Sequence, residues 1–287
     1  MNRTQYDPQD DEPPSYDHAV QASLAPENIV HEYGKYQDAS VDSFERGEMF
    51  TQAFRSQMDT FPHELVNQVT QHGLVHVLQL DAQIHGNHLF RHPKASLRCP
   101  PLRVNHPNQL IFWPQRPSPC PAEDWDITVQ ATHPYLSLSA YQPNKNTTDE
   151  TVTHYFEMTV ESSAPDVVLA IGLATQPYPL FRMVGWNKFS VGYHSDDGRK
   201  FCDDATGGQD YGPSWGVGDT VGCGYEPERG NIFFTLNGRM IDYAFVGLEK
   251  HHYFASVSAD GPAQLRINYG QTPFMYTVGP TWAGTKI

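Results

Sequence analysis

From about residue 126 to residue 276 the chain alternates apolar and polar positions in short runs, each broken by turn chemistry. DITVQ, YLSLSAY, HYFEMTV and DVVLAIGLAT are rich in β-branched and aromatic residues, as half-buried strands are. Residues 185–238 are the densest part, with GWNKFSVGYHSDDGRKF followed by GDTVGCGYEPERGNIFFTLNG. There Asn237 and Gly238 separate two apolar runs, and both residues reach positive φ cheaply, so a tight hairpin is predicted. SDDG at 195–198 and EPERG at 226–230 are further turns. HYFASVS and AQLRINYG close the series around the turn 259–262. Together these runs predict a mainly β chain, an antiparallel sandwich over residues 125–276, with a short tail at 277–287.

Earlier in the chain the period lengthens. Phe50, Phe54, Met58 and Phe61 recur at helical steps, with Asp42 or Ser43 placed to cap the start. Pro62 suits the first turn of a second helix, HELVNQVTQH, which Gly73 ends and whose apolar face is Leu65, Val66 and Val69. Two readings stay open: these helices pack on the sandwich as an extension, or they present a binding face of their own. LVHVLQL at 74–80 reads as a strand. Residues 93–124 are proline-rich with one apolar run, QLIFW, that suits an edge strand, so 41–124 reads as a helical extension plus a linking segment. Residues 1–40 are polar and acidic, lack any period, and are predicted to be disordered.

Charge narrows the function classes. With 33 acidic against 19 basic residues the net charge is −14, which repels phosphate backbones and anionic headgroups and argues against nucleic-acid or direct membrane binding. No run is long and apolar enough for a membrane span, and the acidic start has no signal-peptide core. Cys99, Cys120, Cys202 and Cys223 are widely spaced without a C-x-x-C pair, which suits reduced thiols in a cytoplasmic protein.

Catalytic constellations are not found: the chain has no G-x-S-x-G, H-E-x-x-H, phosphate loop or dinucleotide fingerprint. The pair Asp196 and Asp197 sits in an ordinary turn, and His85, His88 and His92 lack a cysteine pair beside them. The chain is therefore expected to be no enzyme, with no catalytic residue, metal or cofactor. One short motif does carry a mechanism. Pro13, Pro14, Ser15 and Tyr16 form PPxY, in which consecutive prolines pre-form a polyproline II ridge for the aromatic groove of a WW domain and the tyrosine fills a neighbouring pocket.

The ordered series GW-x-K-x-S-x-GYH-x-DDG, YGP, GD-x-V-GCG and FFTLNG resembles a SPRY domain. It is most similar to the SPRY domains of Ran-binding-protein-M type scaffolds and of fungal adaptors for WW-domain HECT-type ubiquitin ligases. The resemblance covers about half the chain. It implies a SPRY-type β-sandwich that binds protein or peptide cargo through loops at one end. Carried onto this sequence, the ligand face is Met183, Val184, Gly185 and Trp186, with Tyr193, Ser195, Asp196 and Asp197, and with Ala259, Asp260 and Gly261. Trp186 and Tyr193 fit either interface anchors or core positions. The three aspartates would favour a basic or amide-rich ligand. With PPxY ahead of such a domain, the resemblance implies an adaptor that brings an unknown cargo to a HECT ligase for ubiquitination, with endosomal or vacuolar sorting reached through partners. Those adaptors typically carry a transmembrane helix, and this sequence has none. The competing expectation is a scaffold subunit of Ran-binding-protein-M type, although the LisH and CTLH segments usual after that domain have no room in the residues that follow here.

Overall fold

The computed structural model describes residues 39–80, 102–105, 108–113, 126–141 and 152–277. Helix α1, Val41–Phe54, is capped by Ser40, whose Oγ accepts from the Ser43 amide at 3.1 Å. The cap thus lies two or three residues earlier than Asp42 or Ser43, because the side chain that caps must precede the amides it satisfies. A turn then carries Met58 into the interior, and α2, His63–His72, begins with Pro62 at the capping position instead of inside the first turn. Gly73, at φ 82°, ends α2. Val66 and Val69 are buried on its inner face, as the period predicts. The expected strand at 74–80 is mostly a short helix, α3, Leu74–Val77. Leu74 and Leu78 are both buried, a four-residue spacing that a helical turn satisfies, and only the end of the run meets the sheet, through a Leu80 bridge to Ala131 and hydrogen bonds of Val77 and Gln79 with Thr132.

The described strands form two antiparallel sheets. The first has seven strands in the order β1 (Leu102–Asn105), β2 (Gln109–Phe112), β13 (Ala263–Asn268), β4 (His154–Ser163), β9 (Thr220–Glu226), β10 (Asn231–Leu236) and β11 (Arg239–Phe245). The second has six: β3 (Ile127–Tyr135), β12 (Tyr253–Ala259), β5 (Leu169–Ala174), β6 (Ser190–His194), β7 (Arg199–Cys202) and β8 (Gln209–Asp210). Two expectations change. QLIFW is an interior strand, because Leu110 pairs with Val104 on one side and Leu265 on the other. YLSLSAY is not a strand: β3 runs through DITVQ to Tyr135, and Leu138–Tyr141 is a helical turn, α4. The Tyr141 hydroxyl holds that turn by donating to the Pro134 carbonyl at 2.6 Å.

Between the sheets lies a continuous core that includes Phe156, Met158, Ile171, Val191, Tyr193, Val221, Ile232, Phe234, Val257 and Leu265. The 237–238 hairpin forms as expected, with φ of 50° and 76°, and Asn237 Oδ1 accepts from the Thr220 amide at 2.9 Å. Both outer faces are covered as well. Over the six-stranded sheet, residues 175–189 lie so close that a Cβ on Gly192 would collide with the Val184 carbonyl. Thr128 Oγ1 donates to the Arg182 carbonyl at 2.5 Å and Ser258 Oγ accepts from the Val184 amide at 2.9 Å, and α1 lies on top of this segment. Over the seven-stranded sheet, the Tyr155 and Phe233 side chains occupy the space that Cβ atoms on Gly222 and Gly224 would need. Phe274 and Tyr276 complete this ring cluster, held by the Met275 amide donating to Glu157 at 3.1 Å. At the sandwich margin, Lys200 Nζ donates to the Ala244 carbonyl at 2.6 Å and the Tyr211 hydroxyl to that of Asp242 at 2.5 Å. A side chain of β7 and one just past β8 thereby reach backbone carbonyls on β11.

Candidate functional site

Alternate connections of an antiparallel sandwich meet at one end. Here these are the segments 164–168, 195–198, 211–219, 237–238 and 260–262. Hydrogen bonds lock them together. Ser195 exchanges two bonds with Leu169, its amide donating to the carbonyl at 2.9 Å and its Oγ accepting from the amide at 2.8 Å. Asp260 Oδ1 accepts from the Val168 amide at 2.7 Å, while the Asp260 amide donates to the Val168 carbonyl. The Trp215 amide donates to the Ser195 carbonyl at 3.0 Å, and Ser214 Oγ donates to that of Asp196 at 2.9 Å. Asp219 ties the 211–219 loop to the 237–238 hairpin by accepting from the Gly216 amide and from Asn237 Nδ2. A rigid rim of this kind loses little entropy when a ligand docks.

The rim is acidic. Asp166, Asp196 and Asp197 are exposed, and Asp260 is half-buried behind them. Burial, with the Asp196 charge adding to it, pushes the Asp260 carboxyl up to about 6. Burial and then the Asp197 charge raise Asp196 as well. Arg199 balances part of this, 3.4 Å from Asp197 and 3.2 Å from Asp210. Val217, 62% exposed, is the one large apolar side chain of the rim among the exposed hydrophobics of the described residues. Carboxylates around an apolar point can hold a basic or amide-rich protein segment. No nucleophile and base stand together here: His194 lies deeper, its pKa lowered to about 4 by burial, bonded at Nε2 to the Val184 carbonyl.

Of the predicted face, Ser195, Asp196, Asp197, Asp260 and Gly261 come together at this end. The others do not line it. Met183, Val184, Gly185 and Trp186 lie beneath α1 on the outer face of the six-stranded sheet, and Met183, Val184 and Trp186 belong to an inner cluster with Tyr178 and Phe201. Tyr193 alternates inward on β6, fully buried between the sheets, its hydroxyl donating to the Pro213 carbonyl. Ala259 is the buried last residue of β12. Both aromatic residues are therefore core, and the ring that reads as an interface anchor is instead a mount for the loops. Ser214, Trp215, Val217 and Asp166 were missed, although the turn-rich run GPSWGVGD marks a loop beside the SDDG turn. Residues 13–16, His85, His88, His92, Cys99 and Cys120 lie outside the described residues. Cys202 and Cys223 are free thiols, both pushed up chiefly by burial. Among the described residues no cluster of three or more histidines, cysteines or carboxylates could hold a metal, and no helix is long and apolar enough to cross a membrane.

The SPRY domain family matches residues 153–272, and the chain carries a SPRY domain, a protein-interaction module. The chain is 39% identical over 123 residues to Protein ssh4 of Sclerotinia sclerotiorum, a stretch that covers 43% of this chain and 23% of that one. It is 34% identical over 142 residues to Protein ssh4 of Aspergillus fumigatus, covering 50% and 28%. Ran-binding protein 9 of Xenopus tropicalis is 39% identical over 199 residues, covering 67% of this chain and 33% of the relative. The matched stretches thus span between about a quarter and a third of these relatives' lengths. A crystal structure of a human SPRY domain aligns with 60% of this chain and 98% of its own, at 23% identity and a TM-score of 0.46.

Proposed function

We propose that this SPRY-domain chain is a non-catalytic adaptor whose loop end holds a protein cargo while the PPxY motif at 13–16 recruits a WW-domain HECT-type ubiquitin ligase. The observation that carries the reading is the pairing, in one chain, of that motif with a SPRY domain similar to those of the fungal ssh4 proteins. Tethering turns ubiquitin transfer into an encounter set by linker reach instead of bulk concentration. The acidic rim supports a cargo with a basic or amide-rich segment. In this reading the adaptor works in the cytoplasm and reaches endosomal or vacuolar membranes through its partners.

Affinity capture of the full chain beside Tyr16→Ala tests it. The variant should lose the HECT ligase, by at least about tenfold as expected for an anchor residue, while other partners stay bound. Equal ligase recovery from both would sink the reading. A second reading, a scaffold subunit of Ran-binding-protein-M type, is supported by the similarity to Ran-binding protein 9 across two thirds of the chain. Deleting residues 1–38 separates them: a stable multi-subunit complex indifferent to the deletion favours the scaffold.

A further inference from the structure

We propose that α1 is a positioning element that brings the PPxY segment into the fold at the loop end, so that a bound ligase stands beside the acidic rim; this rests on the adaptor reading above. The direction of α1 can be traced contact by contact. Ala39, just before the Ser40 cap, packs against the cluster around Trp186, as does Val168 from the 164–168 loop. Ser43 Oγ lies 3.2 Å from Arg182 Nη1, and the Arg182 carbonyl is held by Thr128. Thr128 is the second residue of β3, and the first, Ile127, pairs with Ala259 at the loop end of β12. One helical turn on, Gly47 faces Asn187 and Arg182 so closely that a Cβ would stand 2.7 Å from Asn187 Oδ1. Another turn on, Thr51 Oγ1 accepts from Asn187 Nδ2 at 3.0 Å, near the start of β6.

Beyond the helix, Asp59 accepts from the His252 amide at 2.6 Å and contacts His251 Nδ1 at 2.8 Å. Those histidines immediately precede Tyr253, where β12 begins at the opposite end of the sandwich. The 14 residues of α1 span about 21 Å, close to the roughly 20 Å of β12, so the helix crosses the domain from the loop end to the far end. Its amino terminus, and with it the entry of the preceding chain, is fixed beside the rim. Residues 1–38 hold eight acidic and two basic side chains, so their charge does not complement the acidic rim as that of a basic cargo would.

Residues 17–38 tether the motif to Ala39, so the position of a bound WW domain is centred on the loop end. Averaged over that tether it lies nearer to the rim than to the far end, and this bias is what the test reads. The test uses the full chain, a donor-labelled WW domain, and an acceptor dye on an unnatural amino acid at position 197, on the rim, or 250, at the far end. Energy transfer to 197 should exceed that to 250 by about twofold or more. Gly47→Leu should remove that difference without weakening WW binding, while Met49→Glu, on the exposed side of α1, should keep it. If Gly47→Leu does not melt cooperatively, the double change of Ser43→Ala and Thr51→Ala takes its place. WW binding with equal transfer to both positions in the unaltered protein overturns the positioning role and leaves the adaptor reading standing. Absence of WW binding overturns both.

Discussion

On the outer face of the six-stranded sheet glycine makes room for backbone; on that of the seven-stranded sheet it makes room for rings. Gly192 admits the Val184 carbonyl, and the cover it seats is bonded by Thr128, Ser258 and Arg182 and then roofed by α1. Gly222 and Gly224 admit Tyr155 and Phe233, whose cover is apolar and pinned at its edge by Glu157. The first cover is directional, since its groups must meet partners at fixed geometry or stay unsatisfied. The second is made of side chains that can slide. With both faces covered, the ends of the sandwich are where its loops remain open to a partner.

The largest expected effect comes from Gly192→Ala. Its Cβ meets backbone that cannot move without breaking the Val184 to Ser258 bond, so a loss of about 3 kcal/mol or more is expected in urea unfolding. A loss below that of Gly224→Ala would refute the contrast. Gly224→Ala meets the Phe233 ring on an outer face where the ring can shift, and should cost about 1–2 kcal/mol in the same assay.

The smallest effect concerns the end of the polar cover. Burial alone would raise the Asp59 carboxyl, but hydrogen bonds from His251 and His252 prevail and hold it well below the ordinary range. The same contact raises His252. A depressed carboxylate stabilises above its unfolded value, near 4, and this is lost as pH falls through its folded value; a raised histidine stabilises below about 6.5, and this is lost as pH rises through its folded value. Asp59→Asn should therefore cost about 1 kcal/mol between pH 4 and 6.5, and less on either side. Melting curves across pH would show it, and a gap that grows steadily towards pH 9 would rule out this latch.

How far the sequence could be read follows the same division. The 237–238 hairpin and strands β4, β5, β9 and β10 were legible because turn chemistry and alternation are local. The helical turns at 74–77 and 138–141 were not, since LVHVLQL and YLSLSAY carry strand-like composition and only burial against distant elements decides between the two periods. At the candidate site, SDDG and SADG were readable as turns, and their meeting at one end was implied by the SPRY resemblance alone. Trp186 was ambiguous for a physical reason: whether that ring faces solvent depends on α1, more than 130 residues away in the chain, lying across it. Alternation puts Tyr193 and Gly192 on opposite faces, and the close approach of Val184 to Gly192 is what decides that Tyr193 is the inward one.

The bonds from Lys200 and Tyr211 to the β11 carbonyls have a consequence for how the protein behaves in a crowded cell. A last strand with open acceptors is a template on which other chains can grow edge to edge into aggregates. Here the pairing of β11 with β10 is broken by bulges: the Tyr211 hydroxyl sits between the strands, accepting from the Phe234 amide and donating to the Asp242 carbonyl, while the Lys200 ammonium takes the Ala244 carbonyl. A bulged last strand is twisted away from an incoming chain, which disfavours edge-to-edge growth from β11.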